Sequence, residues 1–212
     1  MDIQKIAILA PPLLFSLTCH EVAHAWVAEK LGDPTARRLG RITLNPLKHL
    51  DPIGTLVFIM TQMIGWAKPV PIYPGNFSKP RQMMAIVALA GPMMNIALAL
   101  ASALLYHYIL PIADGIGAQA PDSLAFTILN PLTLMIQMSV ILNVSLAVFN
   151  VIPINPLDGG RILAGLLPQG MAEKFNRVEG FGFIIVIALI ASGALRVTIF
   201  PIIWKILDIL LG

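Results

Sequence analysis

Charge is scarce in this chain. Fourteen Lys and Arg and eleven Asp and Glu make up 12% of 212 residues, about half the share carried by soluble domains. A globule so short of charge could not clothe its exterior for water, and 57% hydrophobic residues with a mean hydropathy of +0.82 point instead to a membrane core. No polar stretch is long enough to fold as a separate soluble domain. Cysteine is almost missing: Cys19 stands alone, which excludes an internal disulfide framework. The net charge of +3 is small. The basic residues cluster beside apolar runs in the manner of membrane flanks, so nucleic acid is not an expected partner.

What charge there is sets a topology. Apolar runs from Ile6 to Val27, Met83 to Leu110 and Phe126 to Val151 are long enough to span a bilayer. The first begins like a secretory signal, but cleavage would discard its histidines, so it reads as a retained helix. Three segments carry Lys and Arg and belong on the cytoplasmic side: Lys30 to Asp51, Gly65 to Arg81, and Pro153 to Gly180. The loop from Leu110 to Asp122 has Asp114 and Asp122 but no cation, and belongs outside. Ile53 to Ile64 is too short to cross and has cytoplasmic flanks, which makes it re-entrant or shallow. The proline-rich stretch Trp66 to Tyr73 reads as extended, edge-strand-like chain. Phe181 to Leu195 is a further candidate span. Ile199 to Leu211, interrupted by Pro201, Lys205 and Asp208, is either interfacial or a short span. The expected fold is an all-α polytopic membrane protein with about four to six transmembrane or re-entrant helices and a small extended, β-like loop near the cytoplasmic face. It is expected to form one domain over residues 1–212, with a core over about 3–165 and C-terminal helices over about 180–212.

Inside the first apolar run lies His20-Glu21-Val22-Ala23-His24, an HExxH motif. On a helix its histidines sit about 40° apart around the axis and roughly 6 Å along it, so both imidazoles can reach one zinc ion. Glu21 falls on the same side, placed to accept a proton from a water there. Three ionisable groups in a bilayer cost on the order of a few kcal/mol each unless paired or functional. Interhelical hydrogen bonding would employ the histidines but leave Glu21 without a partner. Cys19 adjoins His20 yet points about 100° away, and reads as packing rather than a ligand.

A catalytic zinc takes three protein ligands and keeps one position open. His49 and Asp51 lie in the basic loop, His107 near the outer end of its span, and Asp114 and Asp122 outside. Asp158 remains, in the segment Asn150 to Gly160, at the depth where the HExxH half of the first helix arrives. Pro153 ends the preceding helix, Pro156 keeps the chain open, and Gly159-Gly160 permit close backbone approach.

These residues resemble the site-2 protease family of intramembrane zinc metalloproteases. The resemblance rests on HExxH, the Pro-rich Gly65 to Pro71 stretch, Gly91-Pro92-Met93-Met94-Asn95 within a span, and the Asn150 to Gly160 segment with its Leu-Asp-Gly core. It covers residues 20–160 in the family's order. It implies hydrolysis of peptide bonds in or near the transmembrane segments of other proteins, with one zinc per chain held by His20, His24 and Asp158. Glu21 would be general base and then proton donor, and Asn150 would hydrogen-bond the substrate carbonyl or its oxyanion; a helix cap is the structural alternative for Asn150. Gly91 and Asn95 read as helix packing. The implied partners are a transmembrane protein substrate and the bilayer of the cell membrane, with the active site toward the cytoplasm. The oligomeric state is left open. The rival readings are a cation transporter using the same residues as a transient site, and an inactive relative. Transport has no need of Glu21 between the histidines, and an inactive relative would have lost a ligand or the base.

Overall fold

A computed structural model describes residues 3–61 and 66–212. Helix α1 runs Ile3–Lys30 and ends where its composition demands. Gly32 takes φ 111°, the left-handed conformation a helix C-terminus uses to turn its last carbonyls inward, and the Asp33 N–H bonds back to Ala28 O at 2.9 Å. A short α2 (Thr35–Arg38) follows, then α3 (Pro52–Thr61), whose first turn is capped by Asp51 Oδ1 on the Gly54 N–H. Helix α4 is Pro80–Gln119, opened by Pro80 at a position that needs no N–H donor. Helix α5 is Leu124–Asn150, capped by Ser123, whose hydroxyl accepts from Phe126 N at 3.2 Å. Smaller helices complete the chain: α6 (Asp158–Leu166), α7 (Gln169–Arg177), α8 (Gly182–Ala191), α9 (Ala194–Thr198) and α10 (Phe200–Leu211).

Helices α1, α4 and α5 pack on one another, and they are the described helices long and apolar enough to cross a membrane. Their inner faces carry small residues that let backbones approach: Ala99 and Ala103 of α4 meet Val140 and Val144 of α5, with Ile203 and Leu207 of α10 laid over them. The outer faces do the reverse of what water requires. Leu104 and Leu124 are each 75% exposed and Tyr108 72%, a distribution that suits lipid and would aggregate in water. In the middle of the bundle, polar groups pair with one another. Asn143 Nδ2 donates to Ser16 Oγ at 2.8 Å, and Asn95 Nδ2 donates to Asn143 Oδ1 at 2.8 Å.

The fold departs from the expected pattern in three places. Helix α4 continues nine residues past Leu110 through Pro111 to Gln119, so most of the expected outer loop is helix; at about 1.5 Å per residue it is far longer than a hydrocarbon core. Phe181 to Leu195 is not one span, because Gly193 at φ 74° separates α8 from α9. The Trp66 to Tyr73 stretch is non-helical, but no strand forms among the described residues. One isolated antiparallel bridge joins Leu50 to Ala67. Of the expected re-entrant segment Ile53 to Ile64, residues 62–64 lie outside the described chain, as does Gly65 of the Pro-rich stretch.

Asp33 ties that stretch to the end of α1. Its buried carboxylate accepts from Tyr73 N at 2.7 Å, Asn76 Nδ2 at 2.6 Å and Thr35 N at 3.1 Å, with the Thr35 hydroxyl also donating. Burial pushes this carboxyl up, but the hydrogen bonds outweigh it and hold it below the usual carboxylate range.

Candidate metal centre

His20 and His24, one turn apart on α1, both face α4. The residues of α4 that meet them are spaced four apart, as one face of a helix requires. Val87 O accepts the His24 Nδ1 hydrogen at 2.7 Å, and Asn95 Oδ1 accepts the His20 Nδ1 hydrogen at 2.6 Å. Between them stands Gly91, where a Cβ would overlap His24 Nε2 and His20 Cε1. The absent side chain is the space the imidazoles occupy.

With both Nδ1 atoms donating to oxygens, each Nε2 carries a bare lone pair. These two nitrogens are 3.0 Å apart, with no hydrogen to share between them. Asp158 Oδ2 closes the triangle at 3.2 Å from His20 Nε2 and 3.3 Å from His24 Nε2. That oxygen is buried and has no hydrogen-bond partner. Asp158 opens α6, and glycines bring it in: a Cβ on Gly159 would strike Val151 O, and one on Gly160 would strike Asn155 Oδ1.

Three buried electron-pair donors facing one another would repel unless a cation sits among them. Zinc bonded to nitrogen and oxygen at about 2.0–2.1 Å sets tetrahedral edges of roughly 3.3 Å. The observed edges of 3.0, 3.2 and 3.3 Å match that figure. The donor set of two neutral imidazoles and a carboxylate suits zinc, and the second nitrogen of each histidine already has the partner that a metal-ligating imidazole uses for orientation.

Glu21 is half-buried, and its Oε2 accepts from the Val70 N–H at 2.8 Å. The non-helical stretch flanking Pro69 and Pro71 thus reaches the HExxH glutamate through its backbone. Asn150 Nδ2 donates to Leu146 O at 3.0 Å, one turn back on α5. Cys19 is buried outside the metal-binding group. The other candidates have structural tasks. His49 Nε2 bonds Thr43 O at 2.9 Å, Asp51 caps α3, and His107 Nε2 bonds Leu210 O at 2.9 Å.

Sequence reasoning took Asn95 for packing and passed over Asn143 and Ser16. The available signal was polarity within apolar spans, which marks paired or functional groups. The Val70 N–H carried no signal, since backbone donors are silent in a sequence.

Comparison with known proteins gives a consistent set of matches. The model of the family described as Peptidase family M50 matches residues 8–193. YwhC of Bacillus subtilis (strain 168), provisionally named a zinc metalloprotease, is 39% identical over 180 residues, covering 85% of this chain and 78% of the relative. Rip2 of Mycolicibacterium smegmatis, named in the same way, is 30% identical over 199 residues, 92% of this chain and 71% of its own. Rip2 of Mycobacterium tuberculosis (strain H37Rv) is 26% identical over 200 residues with the same coverage. No solved structure gives a significant match.

Proposed function

Because the chain belongs to peptidase family M50, the site-2 protease family of zinc metalloproteases, we propose that His20, His24 and Asp158 hold its zinc and that Glu21 is the general base. Membership makes the chain an intramembrane zinc metalloprotease that acts on membrane proteins, and sets aside the transporter reading. The observation that supports the ligand assignment is the triangle of bare donor atoms at 3.0 to 3.3 Å.

When bound, zinc supplies a Lewis acid that acidifies water and polarises a carbonyl. The side chains do the rest. Glu21 accepts the proton of the attacking water as oxygen adds to the carbonyl carbon. It returns that proton to the amide nitrogen as the C–N bond breaks, leaving an amine and a carboxylic acid, whose remaining proton passes to the amine or to water. Val70 N–H fixes one carboxylate oxygen of Glu21 and leaves the other for the proton. Asn150 joins by releasing Leu146 O and turning its amide to the substrate oxyanion. A helical substrate must unwind to expose the bond. The Trp66 to Tyr73 stretch receives the opened chain as an added strand.

The single domain spans residues 1–212. Helices α1, α4 and α5 cross the cell membrane, α3 re-enters it, and α8 and α10 bring the membrane-embedded helices to six, within the number the apolar segments allow. Cations at Arg37, Arg38, Arg41, Lys68, Lys79, Arg81 and Arg161 support a cytoplasmic location for the metal end of the bundle. Zinc content and cleavage of a single-span substrate, measured for the native chain and Glu21→Gln, test the assignment. Zinc in both with cleavage only in the native protein is expected; cleavage by the variant overturns the role of Glu21.

A further inference from the structure

An open cavity of about 780 Å³ is lined by the first turn of α4, the chain around Ile72, the loop before α6, and α6 with α7. Lys79, Arg81 and Arg161 line it, and none of their side chains makes a hydrogen bond or ion pair among the described residues. The acidic residue in the lining, Glu173, already accepts from Gln169 Nε2 at 3.2 Å. The cations also stand where cations are least welcome. Lys79 is the N-cap of α4, Arg81 lies in its first turn and Arg161 in the first turn of α6, and helix N-termini carry partial positive charge.

A second observation is independent of charge. Asn155 is 6% exposed and lines the same cavity, and its side-chain amide makes no hydrogen bond among the described residues. Its polar atoms keep a little solvent-accessible surface, so the amide opens onto the cavity rather than being sealed away. The positive-inside rule accounts for cations at this face, but it does not require an unpartnered amide among them.

We propose that this cavity binds a carboxylate of the substrate, from an acidic residue on the cytoplasmic flank of the segment being cut. This rests on the proteolytic reading above. Two chain segments that line the cavity also lead into the site. Asn155 is three residues before Asp158, and Ile72 is two residues after Val70, whose N–H holds Glu21. Most membrane spans carry Lys or Arg on their cytoplasmic flank. Three unpaired cations repel such flanks and accept acidic ones, so charge selects substrates that the apolar spans leave alike.

The test uses full-length Glu21→Gln protein in zwitterionic nanodiscs and labelled single-span peptides whose cytoplasmic flanks are acidic, neutral or basic. Anisotropy should show the acidic peptide bound about tenfold more tightly than the neutral one, with the basic one weakest. A Lys79→Glu, Arg161→Glu pair on the same background should reverse that order with zinc content unchanged, which shows that the variant is folded. Equal binding of the three peptides overturns the proposal. So does an anionic lipid, phosphatidylglycerol, that raises the melting temperature through Arg161 while peptide charge has no effect; the cavity is then a lipid headgroup site. Cleavage of the same peptides by the native protein separates the two readings. The binding order without any cleavage sinks the proteolytic reading alone, and cleavage with equal binding sinks the flank selection alone.

Discussion

Asn95 Oδ1 accepts the Nδ1 hydrogen of His20 at 2.6 Å, and the amide nitrogen of the same side chain donates to Asn143 Oδ1 at 2.8 Å. Asn143 in turn donates to Ser16 Oγ and to Ser139 O, each at 2.8 Å. Ser139 O can only accept, so it orients the Asn143 amide and with it every bond from Asn143 through Asn95 to the metal side of His20. A residue deep in α5 thereby determines which nitrogen of His20 is bare.

Asn95→Ala should leave the fold intact and weaken zinc binding by about 10–100-fold, the usual cost of losing an orienting partner to a ligating histidine. Chelator competition measures this directly. Asn95→Asp keeps the acceptor for His20 and should retain more affinity than alanine. If alanine and aspartate bind zinc as the native chain does, Asn95 is packing after all.

Gly91 makes the opposite test, of space rather than hydrogen bonding. A Cβ there overlaps both imidazoles. Overpacking of this kind costs about 1–3 kcal/mol where the surroundings can give way, so Gly91→Ala should remain folded by circular dichroism while losing zinc and activity. A zinc-replete, active Gly91→Ala protein would mean that α1 and α4 separate more easily than their packing indicates.

Much of this site was legible in the sequence because its strongest signals are local. HExxH needs only helical periodicity, and Asp158 announces itself by the prolines and glycines around it. The sequence showed too that α5 ends near Asn150. It did not show that α4 would run on through Pro111, because a proline predicts a kink or an end while neighbouring helices can carry a span past it. Nor did it show the role of Asn95, since the same side chain on an apolar helix serves equally for packing, and only the position of His20 on another helix decides between them.

Asp33 sets a pH dependence away from the metal. Its carboxyl lies lower in the folded chain than in the unfolded one. Its stabilisation is therefore present above the unfolded value of about 3.9 and is lost as pH falls through the folded value. Asp33→Asn should lower the melting temperature at pH 7 and flatten the decline of stability below about pH 4. Thermal melts across that range check the sign, and an unchanged acid limb in the variant would assign the decline to other carboxylates.

Val70 and Ile72 separate two roles of the non-helical stretch. The Val70 N–H is engaged by Glu21 at 2.8 Å, whereas Ile72 N–H has no partner among the described residues and is free to pair with an added strand. Val70→Pro removes the donor that holds the base, so kcat should fall by roughly tenfold, the worth of a hydrogen bond to a charged group, with KM and zinc content little changed. Ile72→Pro removes a donor to the substrate backbone, so its effect should appear in KM. A joint replacement of both residues would blend the two effects. Kinetics of the single variants keep them apart, and equal losses in kcat and KM for both would show that the stretch acts only as a structural support.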